Sequence, residues 1–73
     1  MNQDRERQHL AQADRHIAEL KGRIAQQREI VQRLAPRGQP RKEASERLAI
    51  LQDSLRIFDH HRRLVLDALK TSG

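Results

Sequence analysis

The sequence predicts an all-α fold, an antiparallel two-helix hairpin of coiled-coil type that is expected to dimerise into a four-helix bundle. Three observations carry this. Ala, Glu, Lys, Leu and Arg make up 37 of the 73 residues, a composition typical of coiled coils and long helices. The only cluster of helix breakers is Ala35-Pro36-Arg37-Gly38-Gln39-Pro40, and it divides the chain into two arms of similar length. Both arms carry apolar residues at alternating three- and four-residue steps, which places them on one helical stripe. With one Phe, no Tyr and no Trp, the chain lacks the aromatic side chains on which small sandwiches and barrels rely.

The first helix is expected over about residues 3–34. Its stripe is Leu10, Ala13, Ile17, Leu20, Ile24, Gln27, Val31 and Leu34, with Gln27 the single polar member. The turn is expected at 35–40. Gly38 suits a positive-φ position after a helix end, and Pro40 suits the first turn of the next helix, where a missing N–H is harmless. The second helix is expected over about 41–70, with the stripe Ala44, Leu48, Leu51, Leu55, Phe58, Arg62, Val65 and Leu69. Each arm would be roughly 45 Å long as a helix, and so short a link favours antiparallel neighbours. The whole of 1–73 reads as a single domain.

Folding about the turn pairs residues whose numbers sum to about 75. Ile24 then meets Leu51, Leu20 meets Leu55, and Ile17 meets Phe58. Arg62 falls opposite Ala13. Its side chain either passes the seam into water or crosses the gap left by alanine to Glu6 or Asp14. Gln27 and Arg62 lower stability and help to fix register. Glu19–Arg23 and Asp59–Arg63 are spaced as i,i+4 helix supports.

The second helix has more apolar surface than one seam needs. Ile50, Ser54, Ile57, His61, Leu64 and Ala68 form a second stripe, and Ile30 and His16 lie on the matching flank of the first helix. An isolated hairpin leaves this stripe in water, and regular apolar patches of that kind mark interfaces. A core this small supplies only about 3–5 kcal/mol. The expected partner is therefore a second copy, with Ile30, Ile50, Ile57, His61, Leu64 and Ala68 at the contact, and a different protein as the alternative occupant.

The net charge of +5 is concentrated at the turn. Arg37, Arg41 and Lys42 lie within residues 36–42, and Arg33 and Arg47 flank them. These five residues are candidate phosphate contacts for RNA or DNA. Against that use, no aromatic platform is available for stacking bases. A solvated basic turn is the plainer reading, and a membrane surface is not an expected partner because the turn has no apolar face to insert.

The chemistry of catalysis is missing from the sequence. There is no cysteine, and Ser45, Ser54 and Ser72 lie in no nucleophile motif. No glycine-rich phosphate loop is present, and a two-helix rod offers no enclosed pocket for a small-molecule substrate. His9, His16, His60 and His61 include no i,i+3 or i,i+4 pair of the kind that helical zinc sites use. No cofactor, metal or enzymatic activity is expected. The lack of cysteine fits a cytoplasmic protein. The opening residues are followed by no apolar run of the signal-peptide type.

The segments Ala13-Asp14-Arg15-His16-Ile17-Ala18-Glu19 and His61-Arg62-Arg63-Leu64-Val65-Leu66, with the Ile17 and Ile24 spacing between them, resemble those of short bacterial helical-hairpin proteins. That resemblance implies a hairpin and no particular activity. In architecture the chain is similar to the Rop-type plasmid copy-number regulators, dimers of hairpins that bind paired RNA loops. Two functions are thus expected as alternatives: a small protein–protein interaction or regulatory adaptor module, and a Rop-like nucleic-acid-binding regulator using the basic turn.

Overall fold

In a computed structural model that describes residues 2–71, α1 runs Asn2–Arg33 and α2 runs Gln39–Thr71. The two helices pack against each other along their length, and the Cα trace measures 54 × 14 × 12 Å. No strand occurs among the described residues. The fold is the helical hairpin that the periodicity predicts.

The two stripes form the seam. All sixteen predicted seam positions are buried or half-buried. The most enclosed are Ile17, Leu20, Ile24 and Gln27 on α1 and Ala44 on α2. Burial is lopsided: four of these five belong to α1, while Leu48, Leu51, Leu55 and Phe58 on α2 are only half-covered. No large side chain among the described residues is completely sealed from water. Two cylinders can shield each other on one side only, so the seam is a strip and not a closed core.

The turn is shorter and lies earlier than expected. Helix α1 ends at Arg33, and the Leu34 N–H donates to both Ile30 O at 3.2 Å and Val31 O at 3.3 Å, a shared bond common at helix ends. Helix α2 begins at Gln39 rather than 41. Pro40 sits in the first turn, where no intrahelical donor is needed. The Gly38 carbonyl accepts from the Lys42 N–H at 3.2 Å, the first bond of α2. Gly38 itself has φ of 135°, a backbone state that L side chains avoid. At the far end, the Thr71 hydroxyl lies 3.1 Å from the carbonyls of both Asp67 and Ala68, supplying a donor where helix carbonyls run out of partners.

Two polar seam residues tie the helices together. The Gln27 side-chain amide donates to the Ala44 backbone carbonyl at 3.0 Å. That oxygen has a second lone pair beyond its helical bond, so Gln27 is satisfied although buried. Arg62 crosses the seam and does not simply pass into water: its Nε donates to Asp14 Oδ1 at 2.6 Å. Asp14 thus takes the bond rather than Glu6. The pairings 14 with 62 and 16 with 58 sum to 76 and 74, close to the expected register.

The remaining ion pairs among the described residues are Glu29–Arg33 at 4.0 Å and the close pair Asp53–Arg56, both exposed. Glu19–Arg23 and Asp59–Arg63 do not close. Exposed pairs gain about 0–1 kcal/mol at most, so spacing alone does not fix which of them form.

The two glycines give opposite predictions. A Cβ at Gly22 would meet nothing within 4 Å, so Gly22→Ala should stabilise the hairpin by up to about 1 kcal/mol through helix propensity. Gly38→Ala should destabilise it by about 1 kcal/mol or more, because it forces a side chain into positive φ. Urea denaturation of both variants checks the signs. On the same assay Gln27→Leu should be near neutral, since it removes the buried amide together with its need for a partner.

Candidate functional site

The face beside the seam is where the hairpin presents apolar surface. On α2, Ile50, Ile57 and Leu64 are 64%, 57% and 52% exposed, and Ile30 on α1 is 46% exposed. His61 and Ala68 are exposed and Ser54 is half-buried. Successive seven-residue steps along α2 are separated by about 10.5 Å, so Ile50, Ile57 and Leu64 make an evenly spaced row. The corresponding row on α1 is His9, His16, Arg23 and Ile30, all exposed. The face is therefore divided: apolar on α2, and polar on α1 except near the turn.

Toward the open end of the hairpin this face holds a groove of about 500 Å³, lined by His9, Gln12, Ala13 and His16 from α1 and Phe58, His61, Leu64 and Val65 from α2. The His16 ring stacks on Phe58 with centroids 5.5 Å apart and an interplanar angle of 24°. It covers part of the only phenylalanine, which the seam leaves half-exposed. The neighbouring His60 and His61 rings lie 6.4 Å apart and tilted. Among the described residues no group of three or more His, Asp or Glu side chains is arranged to hold a metal ion. Near the turn the same face carries a smaller depression of about 200 Å³, between Gln27, Ile30 and Leu34 of α1 and Pro40, Glu43, Ala44 and Arg47 of α2.

The chain exposes far more surface than its mass requires. Its accessible area is 6039 Å² for 8.5 kDa. A compact monomer of that mass exposes about 4,700 Å², leaving an excess of roughly 1,400 Å². One side of a standard protein–protein interface covers about 800 Å². The surplus on this rod is large enough to be covered by a second protein.

The five basic candidates do not form one site. Arg37, Arg41 and Lys42 share a groove of about 590 Å³ with Pro36, Gly38, Gln39 and Ser45. Arg33 is engaged with Glu29, and Arg47 belongs to the depression beside Ile30. The first turn of α2 contains no acidic residue. Arg41 and Lys42 thus sit at the positive end of the helix dipole, an unfavourable placement worth a few tenths of a kcal/mol each.

Spacing places His16 and His61 on the same side of the seam, where both line the groove, but the stacking of His16 on Phe58 was not anticipated from the sequence. The signal was present, since 16 and 58 sum to 74 and both border the seam. The position of Arg47 was also readable, as it lies seven residues before Ser54 on the second stripe. No helix is long and apolar enough to cross a membrane. No family model, curated protein or solved structure matches the chain.

The stack predicts coupling between its members. Phe58→Ala should cost about 2 kcal/mol, less than a fully buried Phe would. A double-mutant cycle with His16→Ala should return an interaction of about 0.5–1.5 kcal/mol, measured by chemical denaturation.

Proposed function

We propose that the chain is a small non-catalytic protein–protein interaction or adaptor module that works as a homodimer in the cytoplasm. In this reading two hairpins associate into a four-helix bundle and offer their outer helix faces and turns to other proteins. The observation that supports it most directly is the row Ile50, Ile57 and Leu64, standing in water at heptad spacing on a helix whose other stripe is already used. The surplus of exposed surface is large enough to accommodate such a contact. The fold and this face are its whole basis; no relative contributes to it.

Sedimentation equilibrium tests the dimer. The wild-type chain is expected to dimerise and Ile57→Glu to dissociate. A two-fold contact loses Ile57 twice, at least about 3 kcal/mol in all, or more than about 100-fold in Kd. A folded wild-type monomer, unchanged by the substitution, would overturn the reading.

A second reading rests on the groove lined by Arg37, Arg41 and Lys42. It is a Rop-like regulator whose turn contacts the phosphates of a nucleic acid. Three such contacts would make log K fall with log salt at a slope of about −2.7. Filter binding over a salt series should then show that slope, reduced by about 1.8 in the variant carrying both Arg37→Ala and Arg41→Ala. No retention of RNA or DNA at low salt would dispose of it.

A further inference from the structure

The divided face carries information about how two copies would meet. We infer that the second copy packs antiparallel, α2 against α2, on a two-fold axis passing beside Ile57, so that Ile50 of each chain seats against Leu64 of the other at its histidine-lined groove. This inference rests on the self-association proposed above and specifies its geometry.

The argument is one of matching surfaces. Stacking two hairpins face to face with their axes aligned leaves two symmetric choices. In the first, the turns lie at the same end, and each α2 covers the α1 of the other copy. Using the hairpin register near 75, Ile50, Ile57 and Leu64 would then lie at the heights of residues 25, 18 and 11 of α1. Their neighbours on that row are Arg23, His16 and His9, all polar and exposed. In the second choice the turns lie at opposite ends, and each α2 covers the other α2. Ile57 is nearly midway along the hairpin. The row is evenly spaced about it, with Ile50 and Leu64 each about 10.5 Å away. A two-fold axis beside Ile57 therefore brings Ile57 to Ile57, Ile50 to Leu64 and Leu64 to Ile50. Every apolar member of the row meets an apolar member, as an isologous contact requires.

The groove adds shape to this match. Leu64 lines the concavity with His61, His16 and Phe58, while Ile50, the most exposed of the row, projects from the turn half of the same face. The antiparallel arrangement delivers that projection to that concavity twice per dimer.

Charge favours the same choice. Residues 33–47 carry five cations and two acids. With the turns together, two such clusters lie side by side, whereas the antiparallel arrangement separates them by most of the 54 Å length of the rod. Like charges brought together at an interface oppose association.

The chain has no cysteine, so single nitroxide labels can be placed cleanly and read by double electron–electron resonance on the full chain. Gln39 is exposed at the turn and lies 18 residues from Ile57. In the antiparallel dimer, labels at Gln39→Cys should be about 55 Å apart. Labels at His60→Cys, exposed and three residues from Ile57, should be within about 30 Å. A dimer in which the Gln39→Cys labels are closer than about 40 Å has its turns together and overturns the arrangement. A dimer with long distances at both positions has its axis elsewhere and overturns the register. Sedimentation of the labelled chains separates these outcomes from failure of the dimer itself. A monomer removes both the self-association and this geometry.

Discussion

A helix packed against a single neighbour can hide only one strip of its surface, and everything in this molecule follows from that limit. The hairpin fills its one strip well, with every predicted seam position buried or half-buried. What the strip cannot do is enclose anything: no large side chain is completely sealed among the described residues. Stability within the hairpin must then come from the length of the seam and from the short link that holds the two strips in register. The surplus of exposed area is the geometric signature of the same limit.

Polar groups in the strip work within it as positioning elements. Gln27 reaches a backbone carbonyl, a partner that does not move with rotamers, so burial leaves its amide bonded. Arg62 spans the gap opposite Ala13 and ends on Asp14 in partly exposed surroundings, where the ion pair contributes little net stability but opposes sliding. These contacts lie at opposite halves of the hairpin. Together with the fixed backbone at Gly38, they oppose a one-heptad slip, which would part Arg62 from Asp14 and move the small Ala44 away from Gln27.

The fold was legible in the sequence because its determinants are periodic or local. Heptad spacing needs no knowledge of tertiary context, and Pro36, Gly38 and Pro40 announce the turn without it. The exact helix starts were less legible, since Pro40 is compatible with several positions in a first turn and only the Gly38 carbonyl decides among them. Side-chain partnerships were the least legible. Arg62 had two acids within reach, and the i,i+4 pairs that do not close have the same spacing as Glu29–Arg33, which does. Differences of a few tenths of a kcal/mol decide such contacts, and sequence spacing does not resolve them. The candidate interaction face occupied a middle ground. Its residues followed from periodicity, whereas the groove at its open end depends on how His16 lies over Phe58.

The asymmetry between the helices bears most directly on function. Helix α1 holds the three most enclosed large apolar residues, Ile17, Leu20 and Ile24, and exposes only Ile30 among its large apolar side chains, while α2 leaves its seam leucines half-covered and carries a further apolar row beside them. A lone hairpin gains nothing from that excess, since exposed isoleucine and leucine add no stability and invite aggregation. Matching the row to α1 of another copy would set it against histidine and arginine. Matching it to itself satisfies it with no new residue type, because one row that is symmetric about Ile57 serves both sides of the contact. In the proposed dimer the α2 rows are consumed at the centre, and the charged outer surfaces and the two basic turns remain free at opposite ends of the rod. A module built this way would present two identical, widely separated turns. Partners engaging both would gain from the spacing itself, in addition to any contact made at either end.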